Sequence, residues 1–98
     1  MRTRRDGDIM PEVKPKRSPE VKWRSEDENI VLYTPSESRI IVLNRTAGSI
    51  WKLIDGKRTT EEIASELVEE YEDVTGEKAL KDVEKTIHNL ENKGLVIV

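Results

Sequence analysis

At Asn44 the chain stops reading as strand and starts reading as helix, and this change of hydrophobic period orders any fold it can adopt. Upstream, Asn29-Ile30-Val31-Leu32-Tyr33-Thr34 and Arg39-Ile40-Ile41-Val42-Leu43 are dense in β-branched and aromatic residues. Such side chains pack well on a pleated surface and lose rotamer freedom in a helix. Between the two runs, Pro35-Ser36-Glu37-Ser38 is a turn cluster, with proline pre-set for the first central turn position. The spacing predicts a hairpin. Ahead of it, Val21-Lys22-Trp23-Arg24 alternates apolar and charged residues, which predicts a short half-buried strand.

Downstream, Ala47, Ile50, Trp51 and Ile54 fall at i, i+3, i+4 and i+7 and share one helical face. Asn44 or Thr46 can accept from the orphan N–H groups at its start, and Gly56 follows its end. Thr59-Thr60-Glu61-Glu62 reads as a capping box, followed by an apolar stripe of Ile63, Ala64, Leu67, Val68 and Tyr71. Thr75-Gly76 interrupts the pattern. Leu80, Val83, Ile87 and Leu90 then mark a third helix, and Lys93-Gly94-Leu95 reads as its glycine C-cap. Leu95-Val96-Ile97-Val98 is a short extended piece. With 98 residues there is chain for one core. The expected fold is α+β and winged-helix-like: three N-terminal antiparallel strands followed by three helices.

Residues 1–19 hold three prolines and scattered charges, with neither period. They are expected to be a mobile charged N-terminal arm, and residues 20–98 the folded domain. Charge divides along similar lines. Residues 1–24 carry eight Lys/Arg and four Asp/Glu, whereas residues 25–98 carry nine against sixteen. The part expected to fold is therefore acidic, opposite in sign to most surfaces that neutralise phosphates.

Catalytic chemistry finds little to stand on. Cysteine is absent, which excludes disulfides, thiolate nucleophiles and sulfur-ligated zinc. His88 is the sole histidine and has no sequence-evident partner. Five glycines, at 7, 48, 56, 76 and 94, form neither a phosphate loop nor a dinucleotide fingerprint. The acidic pairs Glu69-Glu70 and Glu72-Asp73 lack the spacing of an oxygen-ligand loop and read as solvated surface. Asn44-Arg45-Thr46 matches a glycosylation acceptor, a pattern common by chance. No apolar run has membrane-span length, and no apolar h-region follows the N-terminal arginines. The expectation is a soluble, cytoplasmic protein that is not an enzyme and carries no cofactor or metal.

Binding remains, and the second hairpin strand gives the best lead. In Arg39–Leu43 both faces are apolar, Ile40 and Val42 on one and Ile41 and Leu43 on the other. A half-exposed strand would alternate with polar residues. Either both faces are covered within the fold, or the strand is an edge that accepts an extended peptide by strand addition.

The stretch Leu43-Asn44-Arg45-Thr46-Ala47-Gly48-Ser49-Ile50-Trp51-Lys52-Leu53-Ile54-Asp55-Gly56 resembles the PqqD family. So do Thr59-Thr60-Glu61-Glu62-Ile63-Ala64-Ser65-Glu66-Leu67 and the run from Asp82-Val83 through Leu90 to Gly94-Leu95-Val96. The similarity covers about residues 20–98; each motif alone is weak, and their order and spacing carry the specificity. The resemblance implies a precursor-peptide recognition element of pathways that modify ribosomally made peptides. Such a domain binds the leader of a precursor peptide and presents it to a modifying enzyme, in PqqD a radical S-adenosylmethionine protein of pyrroloquinoline quinone (PQQ) biosynthesis. The leader would add beside the third strand, in a groove against the third helix. Carried over, the implied peptide-binding residues are Arg39, Ile40, Ile41, Val42 and Leu43 on the strand and Val83, Thr86, Ile87 and Leu90 on the helix. Val83, Ile87 and Leu90 fit a plain core stripe equally well.

The competing reading is a DNA-binding winged-helix regulator with its third helix in the major groove. Lys81, Asp82, Glu84, Lys85, His88, Asn89, Glu91 and Asn92 make a mixed surface there rather than a basic stripe, which disfavours nucleic acid. A third reading is an adaptor, or homodimer, that self-associates through the same strand.

Overall fold

The computed structural model describes residues 13–71 and 74–98. Its extended elements are β1 (Lys16–Arg17), β2 (Lys22–Glu26), β3 (Asn29–Thr34), β4 (Arg39–Leu43) and β5 (Val96–Ile97). Its helices are α1 (Arg45–Leu53), α2 (Thr60–Glu70) and α3 (Gly76–Asn92), with a 3-10 turn at Pro35–Glu37. The fold is α+β, with the three-stranded sheet N-terminal to the three helices and one short strand after them. β2, β3 and β4 form an antiparallel meander, in which Ile30 pairs with Leu43, Leu32 with Ile41 and Tyr33 with Ile40. β1 and β5 make a second, two-stranded antiparallel sheet.

Register decides which side chains are buried. On β3, Ile30, Leu32 and Thr34 point inward and are buried, while Val31 and Tyr33 point to the opposite face. The inner face receives α1, whose Ile50 and Trp51 are fully buried. Gly48 permits this approach: a Cβ there would lie 2.7 Å from Ile30 Cγ1. α2 and α3 close the core with Ile63, Leu67, Val83, Ile87 and Leu90. β2 differs from the half-buried strand expected at Val21–Arg24, since all five residues of Lys22–Glu26 are exposed. It is the far edge of the sheet, and Val21 just ahead of it packs on the core instead.

The helix ends follow from local chemistry. Asn44 caps α1, its Oδ1 accepting from the Ala47 N–H at 2.9 Å. Thr59 and Glu62 form the reciprocal capping box of α2, at 3.1 and 2.8 Å. Thr75 caps α3, so the expected break at Thr75-Gly76 is the start of that helix. At its other end Gly94 has φ +75°, and the Gly94 and Leu95 N–H groups donate to Glu91 O and Leu90 O. This is a Schellman closure, and it turns Leu95 into the core. Between α1 and α2 the Asp55 carboxylate accepts from the Lys57 and Arg58 N–H groups and lies 2.8 Å from the Arg58 guanidinium. Donation from Lys57, then from Arg58 with its charge, outweighs partial burial and holds the Asp55 carboxyl below its ordinary range.

The segment expected to be a mobile arm behaves differently over its last part. Pro15 is fully buried, Gly56 N–H donates to Pro15 O, and Ser18 N–H donates to Leu95 O. Arg17 donates to the carbonyls of Trp51 and Lys52, near the end of α1 where such groups lack helical partners. Its guanidinium lies over Trp23 and Trp51, 5.4 and 5.9 Å from the ring centroids. The rings themselves meet edge to face. A two-residue strand and one stacked arginine leave no periodicity, which is why composition alone reads this stretch as tail. Residues 1–12, with Arg2, Arg4 and Arg5, and the acidic residues Glu72 and Asp73 lie outside the described residues.

Candidate functional site

The meander has two edges, and the sequence treats them oppositely. On β2 the residues facing the outer side are Lys22, Arg24 and Glu26, charges that discourage another strand from pairing. On β4 the outer residues are Ile40 and Val42, 66% and 59% exposed, with no charge between them. β4 is hydrogen-bonded to β3 on one side and ends the sheet on the other. Among the described residues, its second side therefore presents backbone donors and acceptors without a strand partner.

Beside that edge lies a depression of about 200 Å³, lined by Ile41, Leu43, Ala47, Thr86, Asn89, Leu90 and Lys93. β4 forms one wall, the start of α1 the floor at one end, and α3 the opposite wall. Thr86, Asn89 and Lys93, three and four residues apart, share the α3 flank that faces it. One end is tied by Arg39, whose guanidinium donates to the Lys93 carbonyl and pairs with Glu37 at 2.8 Å. The arrangement joins an unpaired strand edge to a small, mostly apolar slot. It can hold an extended chain through its main chain and one or two side chains.

The expected site residues separate into four groups. Ile41, Leu43, Thr86 and Leu90 line the depression. Ile40 and Val42 are on β4 but face away from it, onto the outer side of the sheet. Val83 is fully buried and Ile87 nearly so; both pack in the core and neither lines the depression. Arg39 sits at the end of the slot as its tie to α3. Sequence reasoning missed Ala47, Asn89 and Lys93. The last two were legible as the continuation of Thr86 along one helix flank, and Ala47 as the small residue of the α1 stripe.

Other places offer less. A depression of about 470 Å³ between α2 and α3 has Ala64, Val68 and Leu80 among its apolar lining, with Glu61 and Glu69 at its margin. Its long walls are helix flanks with paired backbone, so it lacks the ladder groups of β4. His88 is exposed, with Nε2 3.2 Å from Asn92 Nδ2. Among the described residues, no three His, Cys, Asp or Glu side chains converge as metal ligands. No described helix is long and apolar enough to cross a membrane.

Known proteins match the chain in sequence and fold. The family model for coenzyme PQQ synthesis protein D (PqqD) matches residues 29–96, from the start of β3 into β5. The solved structure of TbiB1 in complex with the TbiA(β) leader peptide is 26% identical, with a TM-score of 0.74 over 83% of this chain and 93% of that one. Lasso peptide synthetase B1 complexed with its leader peptide shares the fold at 22% identity, with a TM-score of 0.77 over 88% of this chain and 100% of that one. No curated protein matches the chain.

Proposed function

The chain belongs to the PqqD family, and from that premise we propose that it is a non-catalytic module that captures the leader of a precursor peptide. The leader adds as a strand on the free edge of β4, places side chains in the slot against α3, and is presented to a peptide-modifying enzyme. The observation that carries this reading is the coincidence of an unguarded strand edge with an apolar slot, on a sheet whose other edge is guarded by charge. Leader peptides in the two similar structures support it. The enzyme served is of the class that modifies ribosomally made peptides, radical S-adenosylmethionine proteins included. Holding the substrate by its leader raises its effective concentration at that enzyme with no catalytic group supplied by this chain.

The test is residue-resolved. Amide shifts of the labelled chain are followed while leader peptides encoded by genes neighbouring its own are added, then duplex DNA. Shifts concentrated in Arg39–Leu43 and in Thr86, Asn89 and Lys93 with peptide are expected. Shifts with DNA alone, spread over α3, would discard the reading.

A further inference from the structure

The outer face of the meander is graded. Register aligns Lys22, Tyr33 and Ile40 in one row across the strands, and Arg24, Val31 and Val42 in the next. Each row begins with a cation on β2 and ends with an aliphatic side chain on β4. The apolar end of both rows is thus at the open edge, where Ile40 and Val42 have no neighbouring strand on one side among the described residues. In the slot, by contrast, Ile41 and Leu43 face α3.

A strand that pairs with β4 cannot use one face alone, because its successive side chains alternate between the two. Those on the outer side come to rest about 4.5–5.5 Å, Cβ to Cβ, from Ile40 or Val42. A charged side chain there would be partly desolvated against two aliphatic groups that offer it no hydrogen bond or counter-charge. An aliphatic or aromatic one completes the rows. Resting on the reading of β4 as a peptide-capturing edge, we propose that the captured segment is read on both faces. It carries apolar side chains at two adjacent positions, one entering the slot beside Ile41 and Leu90 and the next packing on Ile40 and Val42.

A second copy laid face to face on the sheet is the other candidate to cover this face, and area argues against it. A face of three strands, each about five residues long, spans roughly 16 by 14 Å. That is little more than a quarter of the ~800 Å² per partner usual for a stable interface. One added strand needs only the ribbon along β4.

The full chain is panned against displayed random dodecapeptides, and enriched sequences are synthesised and their affinities measured by fluorescence anisotropy. Ile40→Thr/Val42→Thr serves as the variant, since both positions are exposed and threonine suits a strand. Enriched peptides are expected to share an adjacent apolar pair. Aspartate at the outward position, identified by its NOE contacts to the Ile40 and Val42 methyls, should weaken binding about fivefold. On the variant that penalty should shrink towards none, while a substitution at the inward position keeps its full cost. Peptides that alternate apolar and charged residues, or an outward aspartate without effect, would overturn this inference and leave the β4 reading standing. Failure to enrich any peptide that shifts the amides of Arg39–Leu43 would overturn both.

Discussion

Arg39 on β4 donates its guanidinium to the backbone carbonyl of Lys93 at the C-cap of α3, across 54 positions of sequence. The bond joins the two walls of the slot at one end and satisfies a helix-terminal carbonyl with a cation, favourable for both charge and hydrogen bonding. The Glu37 ion pair orients the same side chain, but both partners are substantially exposed, so its own share is small. Arg39→Gln is expected to lower stability by about 1 kcal/mol. It should also speed amide exchange of the Schellman residues Gly94 and Leu95. Urea unfolding and native-state exchange check both; unchanged exchange would show that the tie is not holding α3.

Gly48→Ala should be worse than a helix-propensity scale suggests. Alanine ordinarily favours a helix interior over glycine by about 1 kcal/mol. Here its methyl would meet Ile30 Cγ1, close to the branch point of a side chain only 2% exposed. Overpacking of this kind costs about 1–3 kcal/mol, so net destabilisation is expected. Replacing Ile30 with valine, which removes the carbon beyond Cγ1 and leaves room to adjust, should recover part of it in a double-mutant cycle.

The α2 capping box gives a prediction with a built-in control. Thr59→Ala removes the hydroxyl that accepts from Glu62 N–H and should cost about 1 kcal/mol in thermal or urea unfolding. Thr59→Ser keeps the acceptor and should cost far less. Equal losses would mean that packing of the threonine methyl at this buried position matters more than the cap.

The elements that sequence revealed are those whose cause is local. Period and cap residues sit within one turn of what they determine, so Asn44, Thr59-Glu62 and Gly94 were readable as chain punctuation. The docking of Pro15–Ser18 was not, because its partners Leu95, Trp51 and Gly56 are distant in sequence and its strand is two residues long. The two apolar faces of Arg39–Leu43 were visible as a pattern, but not which face met helices. Only the register with β3 assigns Ile41 and Leu43 inward and leaves Ile40 and Val42 bare. Likewise Val83 and Thr86 are neighbours on the helical wheel, and their division between core and slot depends on the angle at which α3 crosses the sheet.

Acid should weaken the turn between α1 and α2. The Asp55 carboxyl is held below its ordinary range in the folded chain, first by the Lys57 N–H and then by Arg58. A group depressed in this way contributes stability in full above its unfolded pKa, and loses it as pH falls through the folded value. Asp55→Asn keeps an acceptor for the Lys57 N–H and removes the titration. Comparing urea midpoints at about pH 7 and about pH 3, the variant should lose less on acidification than the parent chain. Identical losses would assign the acid sensitivity to other carboxylates.

Filling the slot separates peptide capture from its rivals. Thr86 is half-buried on the α3 flank that lines the depression, and Ala47 faces it from α1. Thr86→Arg puts a long side chain where the peptide's inward residue would lie, at a helical position that tolerates arginine. Folding should be retained, as judged by circular dichroism and urea midpoint, while affinity for a leader peptide falls at least about tenfold. Glu84→Arg, which places the same side chain at an exposed site outside the slot with a larger change of charge, should leave peptide affinity unchanged. A DNA-binding surface on α3 would behave in the opposite way: both added cations would strengthen binding, and the complex would dissociate steeply with salt. Peptide capture through main-chain pairing and apolar side chains should vary little with salt. If Thr86→Arg binds the leader as tightly as the parent chain, the slot is not where the peptide lies.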